Sequence, residues 1–185
     1  MRSPESRWLR SVAPSWLWKL ISECRVERKI PDRDKLEDIL KSISIDHKVM
    51  VGAYKFCFVF PNEKFVIKVP ILLSDPAAKA FWEEYKVYRR LSSVAYKYLA
   101  VHYWIRPGLL LCERLSPLAT SGVYSDRRYM PVADKFFRAG VFDVHEGNFG
   151  VDNTGTPKLL DLSGHSHNVY PSLPGAEPWD LQLHH

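Results

Sequence analysis

The stretch KFVIKVP, residues 64–70, is followed after a short break by DPAAKAFWEEYKVYRRL, residues 75–91. Side chains alternate across a strand, so Phe65, Ile67 and Val69 share one face while Val66 and Lys68 share the other. In the second segment Ala77, Ala80, Phe81, Glu84, Val87, Tyr88 and Leu91 recur at helical spacing. Glu84 therefore sits in the middle of an apolar stripe, whereas Glu83 points aside. A lysine in mid-strand is often only an edge-strand or solvated residue. A carboxylate on a buried helix face is costly unless it meets a cation. Lys68, on the neighbouring strand, is the obvious partner. The pair constrains the fold: a helix must cover the sheet face that carries Lys68. Such a pair can also be a purely structural buried ion pair, and the residues alone leave both readings open.

The surrounding chain supplies the sheet. HKVMVGAYKFCFVF, residues 47–60, is rich in β-branched and aromatic residues and reads as a strand, joined to KFVIKVPI by the turn Pro61-Asn62-Glu63-Lys64. LAVHYWIRPGLLLCERL reads as two more strands around Arg106-Pro107-Gly108, and VFDVHEGNFGVDNTGTPKLLDLSG as two short strands around Asp152-Asn153-Thr154-Gly155. An amphipathic helix is expected from about Ser15 to Arg25, with Trp16, Leu17, Leu20 and Ile21 on one side. A second covers DRDKLEDILKSI, with Asp34 as N-cap and Leu36, Ile39 and Leu40 at helical spacing. The helix carrying Glu84 is capped by Ser74 or Asp75, with Pro76 at its first position. A short helix over Pro131–Ala139 ends at Gly140. Ala119–Arg127 reads as loop and the chain beyond Asn168 as an irregular tail. This order predicts an α+β fold, a mostly antiparallel sheet carrying one covering helix.

Composition acts mainly by exclusion. At 185 residues the chain is one domain or two small lobes. With 46% hydrophobic and 13% aromatic residues it can pack a core without disulfides. Cys24, Cys57 and Cys112 are widely spaced; Cys57 and Cys112 lie in apolar strand-like runs and read as buried free thiols of a reducing compartment, the cytoplasm. The net charge of +5 and pI near 9.1 suit an anionic ligand such as a nucleotide. No RNP-type motif, finger spacing or helix-turn-helix punctuation points to a nucleic-acid partner. No apolar run reaches the ~18 residues of a transmembrane segment. The basic start is broken by Pro14, Ser15 and Lys19, which makes a poor secretory signal. The tryptophan-rich helix is expected to cover a core or meet a partner chain rather than a membrane.

Two further segments carry chemistry. FDVHEGN places Asp143 five positions before Asn148, and LLDLSG places Asp161 after an apolar strand. Asp-x-x-x-x-Asn alone is a weak signal, arising about once in every two or three chains of this length at average composition. The order has more weight: hairpin lysine, stripe glutamate, the strand LLLCERL, an Asp/Asn loop, then a second aspartate. With that order the chain resembles a compact member of the protein-kinase-like superfamily, similar to small bacterial or phage-type kinases, over residues 46–164.

The resemblance implies a helical extension over residues 1–45, a small antiparallel-sheet N-lobe with one covering helix over 46–116, and a truncated C-lobe over 117–185. It implies ATP and Mg²⁺. Lys68 would anchor the α- and β-phosphates, paired with Glu84, and Val66 would roof the adenine. Gly52, in VGAYKFC, would let backbone approach a phosphate. Glu113, Arg114 and Leu115 would offer backbone groups to the adenine edge. Asp143 would be the catalytic base, and Asn148 and Asp161 would hold the metal. The implied activity is transfer of the ATP γ-phosphoryl group to a hydroxyl, that of a protein.

The sequence also departs from the family pattern. Only Gly52 stands for a glycine-rich loop, Phe142 precedes Asp143 in place of arginine, and Leu162-Ser163-Gly164 replaces Phe-Gly. Little chain follows Asp161 to build a peptide platform. A nucleotide-binding or interaction module without turnover is thus an alternative. So is a metal-dependent hydrolase using Asp143, His145, Asp161, His165 and His167, since Asp-x-His and His-x-His are ligand spacings.

Overall fold

The computed structural model describes residues 4–27, 33–51, 55–71, 75–105, 109–118 and 127–162. The chain forms a mixed α+β structure in two compact units, Met1–Tyr85 with Val101–Arg114, and Lys86–Ala100 with Leu115–His185. Gly52, Ser74, the turn at 106–108, residues 119–126 and everything from 163 onward, including His165 and His167, lie outside the described residues.

The first unit is built on a five-stranded antiparallel sheet in the order β1-β2-β3-β5-β4. Its strands are β1 (Lys48–Val51), β2 (Lys55–Val59), β3 (Phe65–Pro70), β4 (His102–Ile105) and β5 (Leu109–Glu113). The segment 47–60 is two strands, not the single one its composition suggests. Lys48 lies opposite Val59 and Val51 opposite Phe56. Both arms have the same β-branched and aromatic character, so period-2 patterning hides the reversal between them.

β3 is the central strand, and all six of its residues are buried. Its Phe65, Ile67 and Val69 join a core with Phe58, Phe60, Leu109 and Leu111, completed by Leu9, Leu17, Leu20, Ile21, Leu36 and Leu40. Those last six come from three helices: α1 (Pro4–Val12), α2 (Ser15–Glu27) and α3 (Arg33–Ser42). Trp16 adds its ring 5.1 Å from that of Phe60 and 5.8 Å from that of Phe65. Each fully buried Leu, Ile or Phe contributes roughly 1.5–3 kcal/mol of gross burial energy. The helices therefore share the core of the sheet. α2 lies where its apolar stripe predicts, covering a core. α1 has no counterpart among the expected helices, and α3 starts at Arg33, which puts Asp34 in its first turn.

The opposite sheet face meets α4 (Asp75–Ala95), where Phe81 packs with Val66, Leu110 and Cys112. Of the expected stripe on α4, Phe81, Glu84, Val87, Tyr88 and Leu91 are buried, while the side chains of Ala77 and Ala80 lie outside the described ones.

The second unit holds a three-stranded antiparallel sheet, β6 (Ser116–Pro117), β7 (Phe149–Val151) and β8 (Pro157–Leu159), in that order. α5 (Met130–Arg138) buries Val132, Ala133 and Phe136 and ends as expected at Gly140, whose φ of 85° is the left-handed conformation glycine accepts readily. Gly150 of β7 fills a different need. A Cβ there would lie 2.6 Å from Leu115 Cβ and 2.8 Å from the Ser116 carbonyl oxygen, so β6 can approach only a glycine.

Candidate functional site

Glu84 is 1% exposed, at the middle of α4. Its carboxylate faces three strands. Lys55 of β2 donates to Oε2 at 2.7 Å, Lys68 of β3 has its Nζ 3.8 Å from Oε1, and His102 of β4 has its Nε2 3.4 Å from Oε1. The expected Lys68–Glu84 pair is thus formed, but its shortest bond belongs to a residue the linear pattern does not single out. Register explains the convergence. Cys57 lies opposite Lys68, so Lys55, two residues earlier, shares its face. Cys112 lies opposite both Val66 and His102, which puts His102 on that face too.

The electrostatics follow from this geometry. Burial alone would raise the Glu84 carboxyl, but Lys55 first, then Lys68 and the His102 hydrogen bond, outweigh it and hold the group well below the usual carboxylate range. For His102, burial opposes the charged ring. The Cys112 sulfur, as charge and hydrogen-bond partner, and the Glu84 hydrogen bond overcome it and push the imidazole up to about 9. Lys55 also lies over the ring of Phe81, 5.8 Å from its centroid, one helical turn before Glu84.

Val66 lies beside this cluster, buried among Phe81, Leu110 and Cys112. At the end of β5 the backbone is partly committed. The Glu113 N–H donates to the Val101 carbonyl at 2.8 Å and the Arg114 N–H to the Lys64 carbonyl at 2.9 Å. The Glu113 carboxylate accepts from the Val101 N–H at 3.1 Å. The Arg114 guanidinium donates to the carbonyls of Phe60, Pro61 and Glu63, tying down the β2–β3 turn. Among the described residues, no hydrogen bond engages the Leu115 N–H, the remaining amide of the three.

In the second unit, Asp143 and Asn148 sit in one loop just before β7. The Asn148 side-chain Nδ2 donates to the Asp143 carbonyl at 2.9 Å, which turns the amide oxygen the other way. No hydrogen bond among the described residues uses that oxygen. His145 accepts from the Gly147 N–H at its Nδ1, so in the neutral ring the proton sits on Nε2, 3.3 Å from Asp143 Oδ1. The Leu160 N–H donates to the Asn148 carbonyl at 2.7 Å, which brings the residue before Asp161 alongside the loop. Asp161 is half-buried.

The amide oxygen of Asn148 and the carboxylate of Asp161 are hard-oxygen donors, the kind Mg²⁺ accepts when phosphate and water complete its shell. Among the described residues, no three His, Cys, Asp or Glu side chains converge as a metal site made by protein groups alone. Mg²⁺ held jointly with a nucleotide would need only a few protein oxygens, and Asn148 and Asp161 are of the right chemical type to supply them.

No protein-family model matches the chain, and no curated protein matches it. Among solved structures it is similar to the streptomycin–ATP–APH(2″)-IIa ternary complex, with 18% identity and a TM-score of 0.36. That match covers 63% of this chain and 38% of the other. No helix among the described residues is long and apolar enough to cross a membrane.

Proposed function

We propose that this chain is an ATP- and Mg²⁺-dependent phosphotransferase that moves the γ-phosphoryl group to a hydroxyl, that of a protein. The observation that carries the reading is the buried Glu84 on α4, whose carboxylate lies 3.8 Å from the ammonium of Lys68 on the central strand. A strand lysine so fixed supplies a point charge for the α- and β-phosphates without reorganisation when nucleotide arrives. Val66 would lie against the adenine, and the Leu115 N–H is the amide left to meet its edge. Gly52 would lend backbone to the phosphates. Asp143, whose backbone carbonyl accepts from the Asn148 amide, would take the proton of the attacking hydroxyl on its carboxylate. Asn148 and Asp161 would hold Mg²⁺, which when bound neutralises charge on the β- and γ-phosphates.

The test is transfer from γ-labelled ATP by the full chain. Asp143→Ala should lower the rate on the order of a hundredfold or more. Lys68→Ala should abolish the thermal stabilisation given by Mg-ATP. Mg-ATP binding without turnover would support the non-catalytic module instead. No stabilisation by any nucleotide would leave Lys68–Glu84 as a structural ion pair.

A further inference from the structure

Glu84 faces more cations than a single lysine–glutamate pair requires, and they are placed unequally. Lys55 stands at 2.7 Å from Oε2, a charge-assisted hydrogen bond of full strength, whereas Lys68 stands at 3.8 Å from Oε1. The second distance is an electrostatic contact outside hydrogen-bond range. The two ammoniums come from adjacent strands, offset by one diagonal step in register, and would repel one another without a carboxylate between them. Lys55 has a second hold on the same helix through the Phe81 ring. His102 shares Oε1 from the far side.

We infer that Lys55 is a positioning residue: its short bond to Oε2 fixes the Glu84 carboxylate, which in turn orients Lys68. This rests on the phosphotransferase reading above. The usual work of one lysine is split between two, with Lys55 anchoring the helix carboxylate and Lys68 meeting the ligand. Without Lys55, the carboxylate is drawn onto Lys68 and the phosphate contact weakens.

The experiment is calorimetric titration of Mg-ATP into the full chain as wild type, Lys55→Met, Lys55→Arg and Lys68→Met, each below its own unfolding midpoint. Wild type should bind, and Lys68→Met should weaken binding at least ~10-fold. Lys55→Met should weaken it about tenfold, and Lys55→Arg, which can still pair with a carboxylate, should restore it to within about threefold. Wild-type affinity in Lys55→Met, even with a lower midpoint, would make Lys55 merely structural and overturn the assignment while leaving the phosphotransferase reading intact. Failure of Lys55→Arg to restore affinity would overturn it as well. A wild-type chain that binds no Mg-nucleotide would overturn both. If Lys55→Met does not fold, Lys55→Gln, which keeps an N–H donor, takes its place. A loss of about threefold is then expected, and equality with wild type refutes the role.

Discussion

Glu84→Gln exchanges one oxygen for an amide and changes little in volume, so it isolates the carboxylate charge. At an effective dielectric of about 20, unit charges attract by ~6 kcal/mol at the 2.7 Å of Lys55 and by ~4 kcal/mol at the 3.8 Å of Lys68. These are gross terms, opposed by several kcal/mol of desolvation for each buried ion. Substitution removes the attraction but leaves both ammoniums buried, which is the costly way to break a buried pair. The expected loss is about 3–5 kcal/mol, a large share of the ~5–15 kcal/mol typical of a folded domain. For a chain of this length, each kcal/mol moves the midpoint by roughly 2–4 °C, so the fall should be about 6–20 °C. Urea and thermal unfolding at pH 7, followed by far-ultraviolet circular dichroism, measure it. Adding Lys55→Met should return part of the loss, because one stranded cation goes with it, and the two changes should be non-additive by about 0.5–3 kcal/mol. A loss below ~1 kcal/mol with strictly additive behaviour would refute the coupling.

Stability should also depend on His102. Burial disfavours its charged ring, yet Cys112 and Glu84 raise it from 6.5 to about 9. A folded value above the unfolded one gives stability that is fully present below pH 6.5 and is lost as pH rises through about 9. The unfolding midpoint should fall across that window, and His102→Gln should flatten the fall; a level wild-type profile would contradict the assignment. In the other unit, Gly150→Ala forces a Cβ to within 2.8 Å of the Ser116 carbonyl oxygen and should cost about 1–3 kcal/mol in urea unfolding. Wild-type stability there would show that β6 can yield.

Lys68 and Glu84 were legible because each breaks a local period: a charge in an alternating strand, and a carboxylate in a helical stripe. The paired short strands around Asp152–Gly155 were legible from turn chemistry, and α5 from its apolar spacing and terminal glycine. Lys55 and His102 were not. Their place in the cluster depends on which residue of one strand faces which residue of the next, and alternation within a strand carries no such offset. The same limit hid the reversal within 47–60, where two arms of equal β-propensity read as one. The expectation that Glu113, Arg114 and Leu115 offer backbone groups to an adenine edge was silent on competition. Only tertiary packing reveals that the Glu113 and Arg114 amides already have carbonyl partners.

β3 lies between β2 and β5, and both its faces are covered. Backbone amides in such a strand exchange with solvent mainly through global opening rather than local fraying. Lys68 is therefore carried on the part of its unit that moves least and comes apart last. Its ammonium cannot be retuned by loosening a loop. A change that shifts it must pass through the cooperativity of the whole sheet, so substitutions around it should tend either to leave its position intact or to lose the folded unit altogether.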